Sequence, residues 1–511
     1  MEDPTHGHVP WAGRFEALLR DESATRKEKS MTLAEGIRLY PKAIAWSILL
    51  SSTLIMEGYD LALLGSMYDS PAFKKKFGKE AADGEWNISA AWQLGLANGA
   101  RCGEIVGLLI CGQVFERLGY RRTMSWALLA ICLIIFLFFY AVNIQMLLAA
   151  EILAGIPWGI FQTLPVLYAS EVCRIVLRPY LTTFINMCWV IGQFVAAGVN
   201  RTSVLSTDEQ AYNIKFGVQW VWIPALAMVL LFAPESPWWI TVFSTIEETI
   251  VMIQHTNRFE RSHVEGTGYL DCFKDTNLRR TEIVCVVWMV QTLCGSNLMD
   301  YFAYFCLQAG IPPIESFELS MAKFTLGFFG TFVSWFLISV AGRRAIHMFG
   351  LATLFILLVI IGSLGFAPAS NEAAKLSIAA ILITFTFFFD FTIGPVTYSL
   401  VSELSSTRLK AKTIVLARVL HNISKIVVAL LTHYQLKETA WDWGAKTAYF
   451  WAGTCLFCLI WAYFRLPEPR GRAYKELDLL FERGTPARKF SATRVDAYVE
   501  ELMRMQEGAR R

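Results

Sequence analysis

The chain has 511 residues, of which 55% are apolar and only 17% are charged, and its formal net charge is +3. Soluble domains carry about 25% charged residues, so this composition excludes an ordinary soluble globular protein and indicates one that spans a membrane. The small net charge gives no basic footprint for a nucleic-acid partner. The 11 Cys are odd in number and most lie inside apolar runs, which argues against a disulfide framework or a metal site.

Long apolar runs follow one another along the chain, and a helix that crosses a bilayer needs about 20 such residues. The tail at 1–41 is polar and charged, so we expect no cleavable signal peptide before the first run. We predict twelve spans, near residues 42–66, 91–114, 123–142, 145–171, 182–200, 218–233, 282–306, 318–341, 346–366, 376–400, 412–434 and 446–466.

The distribution of Lys and Arg predicts the orientation of these spans. With both tails in the cytosol, the internal segments hold about 32 of these residues and the external segments about 9, as the positive-inside rule requires. Two acceptor sequons, at Asn87 and Asn200, then fall in external loops, so we expect glycosylation there, whereas the sequon at Asn422 lies inside a span.

The chain divides into a cytosolic tail (1–41), a six-span bundle (42–233), a cytosolic loop (234–281), a second six-span bundle (282–466) and a cytosolic tail (467–511). Three landmarks recur at matching places in the two bundles, with offsets of 222, 232 and 233 residues. They are Arg121-Arg122 with Arg343-Arg344, Glu171 with Glu403, and Pro234-Glu235 with Pro467-Glu468. Such parallel repeats place a substrate site between the halves near the middle of the membrane.

Several charged residues fall inside the predicted spans, although a carboxylate at that depth costs at least about 2.5–3.5 kcal/mol. Glu57 and Asp60 share one face of span 1, and span 2 adds Glu104. One nearby cation cannot satisfy three acids, so burial and mutual repulsion favour a group that takes up and releases a proton. Arg418 in span 11 would stabilise the deprotonated state.

Further charges inside the spans leave two interpretations open. Arg101, Glu151, Asp300, Asp390 and a stripe formed by Arg418, His421 and Lys425 either serve transport or neutralise one another in buried pairs that only fix helix packing. Amides and aromatic side chains within the spans have the same two interpretations, ligand binding or interhelical hydrogen bonding. They are Asn186, Gln193, Gln291, Asn297, Asn422, Tyr301, Tyr304 and Tyr398.

The motifs resemble those of the sugar-porter branch of the major facilitator superfamily. The loop strings that carry this resemblance are GQVFERLGYRRTM at 112–124, PESPWW at 234–239 and PEPRGR at 467–472. Within the branch the chain is most similar to fungal α-glucoside permeases, the maltose proton symporters, from about residue 40 to 490. That similarity is carried by MEGYD at 56–60, GIPWGIFQTL at 155–164, YASEV at 168–172, CGSNLMDYFAYF at 294–305 and GPVTYSLVSELSSTRLKAKTIVLAR at 394–418.

The resemblance implies an all-α integral membrane protein with twelve transmembrane helices in two pseudo-symmetric six-helix bundles, and no cofactor other than the coupled proton. It places proton coupling at Glu57, Asp60, Glu104 and Arg418. It places ligand-facing residues at Asn186, Gln291, Asn297, Tyr398 and Asn422, with Asp390 nearby, and we add Gln193 as a candidate. It implies a cytosolic latch between the halves formed by Arg121, Arg122, Glu171, Arg178, Glu235, Arg343, Arg344, Glu403, Lys410 and Glu468.

Five residues depart from the family pattern. Glu116 and Lys410 replace the usual Asp and Arg of their motifs, Asp300 and Glu151 replace uncharged residues, and Arg101 is an added cation. From the buried acids and the resemblance we expect a monomeric plasma-membrane carrier that takes up an α-glucoside-like sugar with a proton. The alternatives are a carrier, importing or exporting, of a specialised metabolite, and a sugar sensor that does not transport. No nucleophile–base pair or metal spacing supports an enzyme.

Overall fold

The computed structural model describes residues 30–67, 71–80, 86–173, 175–203, 209–235, 268–368, 370–406, 409–437 and 441–493, together with residues 495 and 500. Most of the predicted first tail and central loop lies outside these ranges. Among the described residues, twelve helices are long and apolar enough to cross a membrane, which confirms the predicted fold class. Spans 1–12 are Pro41–Gly65, Ala91–Leu118, Tyr120–Phe139, Ile144–Val172, Arg178–Arg201, Tyr212–Phe232, Asp275–Gln308, Pro313–Val340, Arg343–Leu364, Glu372–Leu404, Lys410–Leu436 and Gly444–Arg465.

Four spans consist of more than one helix. Span 1 contains helices Pro41–Ser51 and Thr53–Met67, and span 6 joins Glu209–Gly217 to Trp222–Phe232 through a short 3-10 turn. Span 7 contains Asp275–Leu293, Asn297–Asp300 and Phe302–Gln308, and span 10 contains Glu372–Phe391 and Ile393–Leu404. Outside the membrane lie helices Leu33–Leu39, Pro71–Phe77 and Tyr474–Glu482, and an antiparallel pair of short strands, Lys79–Glu80 and Trp86–Asn87.

The break in span 7 is caused by the backbone conformation at Gly295 and is stabilised by side-chain hydrogen bonds. Gly295 has φ +87°, a conformation that favours glycine, and a Cβ there would lie 2.9 Å from Leu358. The Ser296 hydroxyl donates to the carbonyl of Gln291 at 2.6 Å, so one carbonyl at the break is satisfied locally. The Gln291 side chain in turn donates to the carbonyl of Gly394 at 2.8 Å, just after the break in span 10. The two broken spans therefore support each other at membrane depth.

Close helix approach through glycines organises the first half. Span 2 packs along span 4, and a Cβ on Gly103 would lie 2.9 Å from the Cα of Gly155. Span 1 packs on span 5 in the same way, because a Cβ on Gly58 would lie 2.6 Å from the carbonyl oxygen of Trp189. Small residues at such contacts let backbones approach without clashes. This packing holds Glu57, which precedes Gly58, against the middle of the bundle.

The two halves meet chiefly along three pairs of spans. Span 5 packs on span 8 and on the second helix of span 10, and span 2 packs on span 11. Within the second half, span 7 packs on span 11, span 8 on span 10 and span 9 on span 12. The polar side chains of spans 4, 5, 7, 10 and 11 therefore face one another at the interface between the halves.

Candidate functional site

The acids that the sequence singles out in the first half are buried together. Glu57 is 0% exposed, and Asp60, Glu104 and Glu151 are at most 2% exposed. Glu57 interacts electrostatically with Glu104, and Glu151 with both Asp60 and Glu104, so four carboxyl groups from spans 1, 2 and 4 form one cluster. Burying several charged carboxylates near one another is costly, and binding a proton relieves that cost. This acid cluster can therefore hold a proton.

A buried amide links the acid cluster to the cation of span 11. The guanidinium Nε of Arg418 donates to Gln162 Oε1 at 2.8 Å, and Gln162 Nε2 donates to the carboxylate of Glu57. Span 4 carries Gln162, so this hydrogen-bonded chain runs from the second half into the first. Arg418 also lies 5.1 Å above the ring of Trp288 and 5.9 Å from that of Trp189. Arg418 thus reaches the acid cluster through one amide, and two indole rings flank its guanidinium group.

The Gln162 amide is oriented for an ionised Glu57. Its oxygen accepts from a cation and its nitrogen donates to a carboxylate, and each of these hydrogen bonds is assisted by charge. A proton on Glu57 would weaken the second bond and leave the charge of Arg418 less compensated. Protonation of Glu57 therefore weakens the interaction that holds Arg418, a residue of the second half, against the first half.

A second amide, Gln219, donates its Nε2 to Asp60 from the 3-10 turn of span 6. Sequence reasoning missed both Gln162 and Gln219. The available signal was an amide inside an apolar span, and Gln162 lies within the string GIPWGIFQTL that carried part of the resemblance.

The predicted ligand-facing residues divide into two groups. Asn186 donates to Thr331 at 3.1 Å and to Asp390 Oδ1 at 3.0 Å, and Gln291 donates to the backbone of Gly394. These side chains hold helices together, as the alternative interpretation expected. Gln193 is half-buried and Tyr398 is 4% exposed, its ring meeting that of Trp288 edge-on at 5.8 Å.

The other group has unused hydrogen-bond donors. Asn297 and Asn422 are 5% and 2% exposed, and the Nδ2 atom of each has no partner among the described residues. The buried indole nitrogens of Trp189 and Trp288, whose rings flank Arg418, also have no hydrogen-bond partner among the described residues. Buried donors are normally paired. This set suits a hydroxyl-rich ligand, whose oxygens accept hydrogen bonds while its apolar faces stack on indole rings.

On the side that the sequence predicts to face the cytosol, Glu235 and Glu468 each cap a span of their own half. Glu235 accepts from the first two backbone N–H groups of span 3 at 2.9 and 3.3 Å, and Glu468 accepts from those of span 9 at 3.0 Å each. Burial raises the pKa of both carboxyls above the usual value, against the opposing effect of the donated N–H groups. The expectation that these two residues join the halves is wrong.

Most of the other predicted latch residues also act within one half. Arg343 lies 3.4 Å from Glu403, and the Tyr120 hydroxyl donates to Glu171 at 2.8 Å. The side chain of Arg344 donates to a backbone carbonyl of span 12, at Tyr463. Arg121 and Arg122 have exposed side chains and form no ion pair in the described part of the chain.

Among the described residues, an ion pair and a cation–π contact join the halves on the side that the sequence predicts to face the cytosol. Lys412 of span 11 lies 3.3 Å from Glu116 of span 2. The ring of Tyr474, in the helix after span 12, lies 4.2 Å from the guanidinium of Arg178, and its hydroxyl accepts from Lys410 at 2.6 Å. Sequence reasoning missed Lys412 and Tyr474. We call these two contacts the cytosolic latch, and they hold the halves together on that side.

The two predicted glycosylation sites differ in exposure. Asn87 is exposed in the second short strand, as an acceptor needs to be. Asn200 lies inside the helix Arg178–Ser203 and is 1% exposed, so the prediction of a glycan there is contradicted. Among the described residues, no group of three or more His, Cys, Asp or Glu is placed to hold a metal ion, and all 11 Cys are free thiols.

Residues 46–481 match the model of a protein family described as sugar (and other) transporter. A maltose permease of Saccharomyces cerevisiae is 40% identical over 510 residues, which cover 94% of this chain and 83% of that protein. The general alpha-glucoside permease of the same species is 39% identical over 500 residues, covering 93% of this chain and 81% of its own length.

Solved structures share the fold. A proton:xylose symporter of the major facilitator superfamily, bound to 6-bromo-6-deoxy-D-glucose, superposes with a TM-score of 0.72 over 87% of this chain and 99% of its own, at 17% identity. The xylose transporter of E. coli in a partially occluded inward-open conformation gives a TM-score of 0.66 over 85% and 99%, again at 17% identity.

Proposed function

Because this chain belongs to the sugar transporter family, we propose that it carries a sugar of the α-glucoside class across the plasma membrane together with a proton, by alternating access. The chain is a multi-pass membrane transporter and not an enzyme, as its permease relatives indicate. The permeases to which this chain is 39–40% identical are named for maltose and alpha-glucosides. In this proposal both termini lie in the cytosol, the direction is uptake, and the proton is the only cofactor.

The observation that carries the proposal is the hydrogen-bonded chain from Glu57 through Gln162 to Arg418. It connects a carboxylate that can hold a proton with a cation of the other half, next to the unused donors of Asn297 and Asn422. Proton binding and sugar binding thus act on one interface between the halves. A ligand shifts a conformational equilibrium only by its different affinity for the two states, and this interface changes between them.

The transport cycle follows from this arrangement. With the cytosolic latch closed, the site is open to the outside, and a proton that enters the acid cluster weakens the bond between Gln162 and Glu57. A sugar that satisfies the donors of Asn297 and Asn422 draws the halves together. Both events loosen the hold of the latch on the cytosolic side, where each exposed ion pair contributes at most about 1 kcal/mol. After release, the acid cluster loses its proton to the cytosol and Arg418 binds Gln162 and Glu57 again.

The proposal is tested with purified protein in lipid vesicles and labelled maltose. An inward proton gradient should drive accumulation of maltose above its external concentration, and a protonophore should abolish it. Glu57→Gln should lose accumulation yet retain exchange of external label for internal maltose, because the site remains while the titrating group is gone. Glu315→Gln removes an exposed carboxyl in the first turn of span 8 and serves as the matched control.

Two results would contradict the proposal. Accumulation by Glu57→Gln equal to that of the unmodified protein would remove the assigned coupling group. Specific binding of maltose without any uptake or exchange would identify a sugar sensor and exclude transport of this class of sugar.

A further inference from the structure

Two cations of the spans, Arg101 and Lys425, lie side by side at the interface of the halves. Spans 2 and 11 are antiparallel, and their register is fixed by the ion pair of Glu116 with Lys412 and by Gly112, whose Cβ position lies 3.4 Å from Val415. Arg101 is 15 residues from Glu116 and Lys425 is 13 residues from Lys412. At 1.5 Å per residue, the two cations differ by about 3 Å in height, which is less than one turn.

Neither cation forms an ion pair with a carboxylate in the part of the chain that the structure describes. Arg101 donates through Nη1 to the carbonyl of Ala97 at 3.0 Å and to Asn98 Oδ1 at 2.9 Å, and its Nε is buried without a partner. Lys425 makes no hydrogen bond or ion pair with any described residue. Both residues are half-buried where spans 2 and 11 of the two halves pack on each other. Like charges held this close repel each other unless an anion lies between them.

Carboxylates of the described residues lie near the pair without forming an ion pair with it. Lys425 interacts electrostatically with Arg101 and Arg418, and with the carboxylates of Glu57 in span 1, Glu104 in span 2 and Asp300 in span 7. His421, one turn below Lys425, adds no carboxylate. Asp300 is exposed, so water screens it. Glu57 and Glu104 belong to the acid cluster, and when that cluster takes up its proton the charge of the two cations is less compensated.

We propose that Arg101 and Lys425 form a subsite for a carboxylate on the transported sugar, so that the substrate class is an acidic α-glycoside such as an α-glucuronide. The inference rests on the proposed sugar-transport function. A guanidinium fork and an ammonium group match the two oxygens of a carboxylate, and such charge-assisted bonds are strong in a partly dry site. Uptake of a proton and of an anionic sugar then compensate each other in charge.

The test uses two probes that differ only at C6 of the sugar, 4-nitrophenyl α-D-glucoside and 4-nitrophenyl α-D-glucuronide, in vesicles with an inward proton gradient. The unmodified protein should take up the glucuronide with the lower KM. In Arg101→Gln the ratio of the glucuronide KM to the glucoside KM should rise about tenfold, the value of one charge-assisted hydrogen bond. Lys425→Gln should raise the same ratio, while Arg101→Lys should restore part of the preference.

Arg465→Gln is the matched control, because it removes an equally charged but exposed group that pairs with Glu282 of the same half. It should leave the ratio unchanged. Membrane potential supplies a second measurement: uptake of glucuronide with one proton carries no net charge, so an inside-negative potential should stimulate only the glucoside.

Each remaining result counts against the subsite. Uptake of the glucoside without uptake of the glucuronide would overturn the subsite and leave the proposed function standing. An equal rise in both KM values in Arg101→Gln would mean that Arg101 only supports the packing of spans 2 and 11. Failure of both probes, and of maltose, would overturn the proposed function itself.

Discussion

Replacing Gln162 tests the hydrogen-bonded chain most specifically, because Gln162→Leu removes both of its bonds while keeping a side chain of similar volume. The bond from Arg418 at 2.8 Å and the bond to Glu57 each involve a charged partner in a buried site. Hydrogen bonds to charged groups contribute about 1.5–3 kcal/mol each. With the lower value for each bond, the loss of the pair amounts to about 3 kcal/mol, which corresponds to about a hundredfold change in rate or equilibrium.

We expect this loss to fall on coupling rather than on sugar binding. In vesicles, the part of maltose uptake that depends on the proton gradient should decrease about a hundredfold in Gln162→Leu. Exchange of labelled for unlabelled maltose without a gradient should decrease less, because Asn297 and Asn422 still supply their donors.

Gln219→Leu is the matched control, since Gln219 is an equally buried amide that donates to Asp60 without reaching Arg418. It should lower gradient-driven uptake less than Gln162→Leu does. The reasoning is refuted if Gln162→Leu keeps its gradient dependence, or if both variants lose it to the same extent.

Three further predictions concern packing, the latch and a cap. Gly103→Ala should lower the free energy of unfolding of the detergent-solubilised protein by about 1–3 kcal/mol, because its Cβ would lie 2.9 Å from the Cα of Gly155. Gly95→Ala should not lower it, because a Cβ at Gly95 has nothing within 4 Å. Equal effects of the two substitutions would contradict the helix contact. Tyr474→Ala removes the cation–π contact with Arg178 that belongs to the cytosolic latch, so spin-label distances between the first residues of spans 3 and 9 should show more of the inward-open state. An unchanged distribution of distances would contradict the latch. Burial raises the pKa of Glu468, so its ionised form is less favourable in the folded than in the unfolded chain, and the protein gains stability as the pH falls from 7 through the raised pKa. The melting temperature of the unmodified protein minus that of Glu468→Gln should therefore be larger at pH 5 than at pH 7. A difference that does not change with pH would contradict the assigned burial of Glu468.

The spans and the acid cluster were predictable because each follows from a large local cost. A run of about 20 apolar residues has few stable places outside a bilayer, and carboxylates such as Glu57 are expensive within one. The charge pattern alone therefore singled out Glu57, Asp60, Glu104 and Arg418, which the structure places around one interface.

What sequence reasoning missed depends on which helices pack together. A neutral amide such as Gln162 costs little in a span, so nothing local distinguishes it from an amide that only joins helices. Glu235 and Glu468 were found as repeat landmarks, yet their capping role within each half depends on where span 6 and span 12 end. Asn200 satisfied a sequon, but sequence alone did not show that its helix continues through it.

The central claim is that one proton moves with each sugar through the acid cluster. The most direct measurement is the pH of a weakly buffered suspension of vesicles, with the membrane potential clamped and no proton gradient imposed, when an α-glucoside that they take up is added. The account predicts external alkalinisation of about one proton per sugar, a signal absent in Glu57→Gln while sugar exchange persists. Entry of sugar into vesicles of the unmodified protein without any change in external pH would contradict it.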